Sequence, residues 1–303
     1  MTSKQWIRNS LLAIVVCAGA GAALNYRINA FGLFGDVRGK VYRSYLNQDR
    51  EAKYLYSLNY IPSNFNGILV GSSISGNWDT GGIQSARTYN LSIVDATMTE
   101  EKILADNIMT RGKVNLVLFC VYPRMVHTHG RRTSYMQPKD YWTALGSEQL
   151  LKEYKNHIMA HEGRSRPFFD ESGTLDFSSL ERNANQMKAT YRRYHREPIV
   201  IDETAFAEYA ALVDEARSRG AQVVAFVPPH FIDVWNTPDY ADFMARMKTL
   251  FRPGELLIDF NDQQYDEFRS NPDNFYDGVH IATERTGFLV SKLNAQLLDS
   301  RVQ

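Results

Sequence analysis

From Gly67 to the C-terminus, short apolar runs alternate with amphipathic stretches. "GILVG" (67–71) is a brief apolar run closed by glycine, as expected of a buried strand. "RTYNLSI" (87–93) is a second candidate strand. "TEEKILADNIMTRG" has a capping threonine, acids in its first turn and a closing Gly112, which predict a helix. "VNLVLFCVY" (114–122) is apolar throughout and rich in β-branched residues, as befits the middle of a parallel sheet. A helix ending at Gly220, the strand "AQVVAFVPP", a helix over 238–250, the strand "ELLIDF" and a last helix over 283–298 follow. Strands alternating with helices predict an α/β fold, a central parallel sheet between two helical layers.

Two regions break the rhythm. Residues 124–201 are rich in arginine, tyrosine, histidine and serine ("HTHGRRTSY", "HEGRSRPFF", "YRRYHREP"). They read as an insertion over the carboxyl edge of the sheet, where open α/β sheets bind ligands. At the N-terminus, Lys4 and Arg8 precede the uncharged run "SLLAIVVCAGAGAAL" (10–24), which Arg27 ends. Spanning a bilayer takes roughly 20 residues, and flanking Trp6, Ile7 and Tyr26 supply the missing length. The cations before the run predict a cytoplasmic N-terminus and a body outside. A cleaved signal peptide is the rival reading, since "AGAGAA" offers small residues for cleavage. The expected organisation is a tip and signal anchor over 1–26, a linker and helix over 27–65, and a globular domain over 66–303.

Composition narrows the class. Of 303 residues, 44% are hydrophobic and 22% charged, ordinary for a globular chain. The 34 basic residues balance the 34 acidic ones, so nothing in bulk charge supports a nucleic-acid partner. Two cysteines, Cys17 and Cys120, make neither a disulfide framework nor a zinc site.

The chemistry sits at two distant places. "VGSSISGNW" follows the first strand and puts Ser72 and Ser73 on a strand-to-helix turn. A serine there lies at the sheet edge with backbone N–H groups beside it, the arrangement acyl transfer needs. Alone, Gly-Ser-Ser also fits an ordinary loop. "NFYDGVHIATERTGFLVSKL" (274–293) carries Asp277 and His280 just before the last helix. A serine hydroxyl needs a base, and the base needs an acid to orient it. The two motifs bracket the sheet.

These motifs resemble the SGNH/GDSL superfamily of esterases and acyltransferases, in particular its membrane-anchored branch acting on cell-surface polymers. The resemblance spans about 66–293 and implies a flavodoxin-like three-layer fold with Ser73 as nucleophile, His280 as base and Asp277 as acid. "YNLSIVDATM" (89–98) is similar to the family's second block, with Ser92 where glycine is usual. By resemblance, the N–H groups of Ser73 and Ser92 form the oxyanion hole. The third block departs from the pattern. Tyr122-Pro123-Arg124 stands where the family has Gly-x-Asn-Asp, so the asparagine donor is missing. "FVPPH" (226–230) is similar to the teichoic-acid D-alanylation protein of the same branch.

The resemblance further implies acetyl transfer to, or removal from, an exopolysaccharide outside the cytoplasmic membrane. A multi-spanning membrane acyltransferase would deliver the acyl group. D-alanyl transfer to a cell-wall polymer and a non-catalytic polysaccharide-binding scaffold are the alternatives. No metal or cofactor is called for. Trp78, Tyr122 and Arg124 are candidate substrate contacts, and Trp78 reads equally as packing beneath the loop. His157 with His161, and His127 with His129, have spacings open to a metal, but no third ligand is evident. Arg192, Arg193 and Arg196 read as a solvated helix face or as contacts to an anionic group.

Overall fold

The computed structural model describes residues 2–46, 49–128, 136–161, 163, 166–178, 180, 184–232, 234 and 237–299. Five strands form one sheet: β1 (Gly67–Val70), β2 (Thr88–Asn90), β3 (Leu116–Cys120), β4 (Gln222–Val227) and β5 (Leu256–Asp259). Every pairing is parallel and the order is β2-β1-β3-β4-β5. This is the doubly wound flavodoxin-like order, whose switch point lies between β1 and β3. The central strand β3 is buried along its whole length, which explains its unbroken apolar sequence. Val70 pairs with Phe119 and Cys120 with Phe226, so the chain leaves β1, β3 and β4 at nearly one level.

The helices are α1 (Ser3–Ile28), α2 (Asp49–Leu58), α3 (Tyr60–Asn64), α4 (Ser73–Gly76), α5 (Met98–Arg111), α6 (Pro138–Thr143), α7 (Glu148–His161), α8 (Ala184–Arg196), α9 (Glu203–Ser218), α10 (Pro238–Lys248), α11 (Asp266–Ser270) and α12 (Thr286–Asp299). They cover both faces of the sheet. On one face α5 packs beside α9, α2 lies against α5, and Arg246 of α10 pairs with Glu203 of α9. On the other, α12 meets the segment after α4: Asn294 donates to the Gly82 carbonyl at 2.8 Å and accepts from Gln84 N–H at 3.0 Å. β2 is shorter than its sequence pattern, because Asn90 turns the chain and the ladder resumes only as one bridge between Ser72 and Ile93.

α1 opens with a capping box between Thr2 and Gln5 and closes at Asn29 in the left-handed conformation. None of its residues is buried. Its 26 residues span about 39 Å at 1.5 Å per residue, long and apolar enough to cross a membrane.

Residues 27–65 are more than a linker and leading helix. Phe31, Leu33, Leu46, Leu55, Tyr56 and Ile61 all join the core. At its centre lies Lys53, fully buried, whose Nζ donates to the carbonyls of Asn90 (2.8 Å), Ser92 (2.7 Å) and Gly173 (2.9 Å). An ammonium has three donors, and all three are used. The Gly173 contact brings in the strap 166–178 from the 124–201 segment. This strap also bonds Asn90 N–H to Ser172 O (2.7 Å) and Leu175 N–H to Gly76 O (2.8 Å). The 124–201 segment therefore divides. Its strap and α8 approach the carboxyl edge, whereas α6 and α7 pack against the N-terminal region, where Tyr45 N–H meets Glu153.

Burial lowers the Lys53 amine to about 8, against the opposing pull of Asp49, Glu101 and Asp170. In the unfolded chain its value is 10.5. Between these values the unfolded chain holds more protons, so Lys53 makes stability rise with pH across about 8 to 10.5. Lys53→Met should remove this contribution. Urea unfolding at pH 7.5 and 10 should show wild type gaining about 2 kcal/mol relative to the variant. Parallel pH profiles for the two proteins would refute the assignment.

Candidate active site

β1 delivers the chain into a turn with no spare space. A side chain at Gly71 would place its Cβ 2.1 Å from Ser75 Oγ and 2.8 Å from Ser92 Oγ. The next two serines part company. Ser72 is buried with its hydroxyl unpartnered, while Ser73, at the start of α4, is half-buried and faces the other motif. Ser73 Oγ lies 2.9 Å from His280 Nε2, and His280 Nδ1 lies 2.8 Å from Asp277 Oδ2. The second oxygen of Asp277 accepts the backbone N–H groups of His280 (2.9 Å) and Val279 (3.2 Å).

The 277–280 turn is stiffened on both sides. Phe275 and Ile281 form an antiparallel bridge, and Tyr276 N–H donates to His280 O at 2.8 Å. Gly278, at φ +96°, sits in a region that favours glycine, and its carbonyl accepts the Phe231 N–H from the loop after β4. Asn77 makes a direct link between the two motifs. Its amide donates to the Ile281 carbonyl at 2.8 Å, across 204 positions of sequence. Asn90 braces the serine turn from below, donating to the carbonyls of Ser75 (2.8 Å), Gly76 (3.0 Å) and Trp78 (3.2 Å).

Burial works against ionisation of Asp277, but its bonds to the His280 ring and to two backbone N–H groups outweigh it and hold the carboxyl below its ordinary value. An ionised carboxylate only accepts, so Nδ1 of His280 carries the proton facing it. Nε2 is then free to accept the Ser73 hydroxyl proton. Phe177, from the strap, packs edge-on to the imidazole at 6.0 Å. This arrangement sets an acceptor nitrogen where it could take the Ser73 hydroxyl proton as the oxygen attacks a carbonyl.

Other expected contacts fall differently. Ser92 is fully buried; its N–H donates to Asn90 Oδ1 at 3.0 Å and its hydroxyl pairs with Ser75 at 2.9 Å. Its N–H is thus committed to the turn and not offered to an oxyanion. Trp78 is buried under the loop against Phe226 (4.5 Å) and Phe260 (5.7 Å), so of its two readings packing holds. Tyr122 is buried too, 6.4 Å from the His230 ring, and forms wall instead of a stacking surface. Arg124 does reach the surface. It pairs with Asp95 at 3.6 Å and, with His127, Arg193 and Glu197, lines a cleft of about 130 Å³.

His157 lies against the Tyr45 ring at 4.7 Å and 3.8 Å from Glu153. His129 and the side chains of His161 and Arg196 lie outside the described residues. Sequence reasoning missed Lys53, Asn77, Asn90 and Phe177. Lys53 had a signal, an uninterrupted apolar and aromatic neighbourhood in "AKYLY".

No protein-family model and no curated sequence matches the chain. Among solved structures, a provisionally named acylhydrolase from Bacteroides fragilis NCTC 9343 is similar at 13% identity. That likeness has a TM-score of 0.41 and covers 78% of this chain and 86% of that one.

The link through Asn77 is open to direct test. Asn77→Ala should lower stability by about 1–3 kcal/mol, the range for losing a buried hydrogen bond. It should also slow labelling of Ser73 by an active-serine probe at least ten-fold. Unchanged labelling would mean that the two motifs hold their alignment without it.

Proposed function

We propose that this protein is a membrane-anchored serine acyl-transfer enzyme of SGNH type, acting on acetyl groups of an exopolysaccharide outside the cytoplasmic membrane. The observation that carries the reading is the unbroken chain from Ser73 Oγ through His280 to Asp277, at 2.9 and 2.8 Å. In this mechanism His280 Nε2 takes the hydroxyl proton as Ser73 Oγ attacks the acyl carbonyl. Asp277 stabilises the imidazolium that results. The tetrahedral intermediate collapses to an acyl-serine as His280 passes the proton to the leaving alcohol. The reverse sequence, with an acceptor hydroxyl or water in place of that alcohol, frees Ser73.

The oxyanion would rest on the Ser73 N–H, whose position in the first helical turn leaves it without an intrahelical acceptor. Neither the Ser92 N–H nor Pro123, which has no N–H, supports a second donor in the expected places. One donor is typically worth roughly 10²–10³ in rate, so slow turnover is expected with water and with a sugar hydroxyl alike. The anchor reading rests on α1 with its preceding cations, and the orientation on the positive-inside rule. A single α1 cannot carry an activated acyl group across a bilayer, so a multi-spanning acyltransferase is the partner proposed to supply it.

A fluorophosphonate should label wild type and Ser72→Ala but not Ser73→Ala; equal labelling of all three would refute the nucleophile. Asp277→Asn should retain the fold and reduce turnover of an acetyl ester by about 10³–10⁴. An acetylated oligosaccharide product, formed only when an oligosaccharide acceptor is added, would mark transfer. Release of free acetate at the same rate with or without acceptor would mark an esterase.

A further inference from the structure

The end of α1 is built into the α6–α7 corner. Asn25 donates its amide to the Leu145 carbonyl and accepts the Tyr154 hydroxyl at 2.8 Å. An aromatic series continues outward: Tyr26 against Phe34 (5.3 Å), Phe34 against Tyr141 (5.8 Å), and Tyr141 against Trp142 (5.2 Å). Leu151, Tyr154 and Ile158 lie at i, i+3 and i+7 on α7, one stripe of that helix, and Tyr154 is the residue touching α1. Leu151, Ile158 and Trp142 are large, apolar and 66–70% exposed. Scattered apolar residues at a surface are ordinary, but three of this size around one helix corner are not. Among the described residues, exposed Lys139, Lys152 and Lys155 edge them, with the exposed acid Glu148 paired to Lys152 at 2.8 Å.

We infer that α6 and α7 form a second membrane contact, with Trp142, Leu151 and Ile158 lying in the headgroup zone of the bilayer that α1 crosses. This inference rests on the reading of α1 as transmembrane. Where α1 leaves the hydrocarbon, at Tyr26 and Arg27, the α6–α7 corner is bonded to it within about one helix diameter, roughly 10 Å. That is the depth at which tryptophan and tyrosine collect and at which lysines reach lipid phosphates. A body held by a helix end and by a second apolar face cannot swivel freely. The face would fix the height and tilt of the Ser73 edge above the bilayer, as suits an enzyme receiving an acyl group from a membrane-embedded partner.

The test uses the full chain with Cys17→Ser, which leaves only buried Cys120 as a native thiol. Leu151→Cys, or Arg252→Cys as an exposed control on the body, is labelled with an environment-sensitive fluorophore and reconstituted into phosphatidylethanolamine–phosphatidylglycerol vesicles containing nitroxide lipid. Position 151 should be quenched at least three-fold more than position 252. Adding Trp142→Glu and Ile158→Glu should bring it down to the control. Equal quenching at 151 and 252, in protein that resists alkaline carbonate extraction, would overturn the membrane face while sparing the anchor. Protein released by carbonate would overturn the anchor and the face with it. Unchanged circular dichroism of the Glu variant separates lost contact from lost fold.

Discussion

Three backbone carbonyls around the turn after β2 face an interior that water does not reach, and one amine satisfies them all. Without Lys53, the carbonyls of Asn90, Ser92 and Gly173 would each be buried without a donor. With it, α2, the turn and the strap from the 124–201 segment become one body. Asn90, held from one side by the amine, turns its own side chain to the other and grips three carbonyls of the serine turn. The placing of the Ser73 turn thus depends on a cation buried beneath it.

The second requirement is alignment across the sheet. Parallel strands in register bring the loops after β1, β3 and β4 to one edge. That edge alone leaves the 277–280 turn free to drift. Phe231 N–H on Gly278 O and Asn77 on Ile281 O remove that freedom, so the imidazole meets the serine without movement of either element. In the proposed mechanism, dipoles fixed in advance need no reorganisation as charge develops.

The architecture was legible because short apolar runs rich in β-branched residues, such as "VNLVLFCVY", fit buried strands, and because longer amphipathic stretches separate them. That a serine after β1 would meet Asp277 and His280 was legible because general-base chemistry needs those residue types together, and the family resemblance singled out Ser73 over Ser72. The supports were not. Lysine normally marks solvent, and nothing local in "EAKYLYSL" says which carbonyls Lys53 will meet. Asn77 and Asn90 act on partners that only the fold brings near. Ser92 was misjudged because position in a motif does not reveal that its N–H already has an acceptor two residues earlier in Asn90. Trp78 follows the nucleophile turn, but sequence cannot tell which way an indole points.

The serine and its base are separated by 207 positions. A chain still emerging from the ribosome presents the hydroxyl long before the imidazole. A copy that stops before Asp277 therefore holds residue 73 without its hydrogen-bond partner. Until the 277–280 turn docks beside the loop after β1, the Ser73 hydroxyl has no imidazole within hydrogen-bond reach.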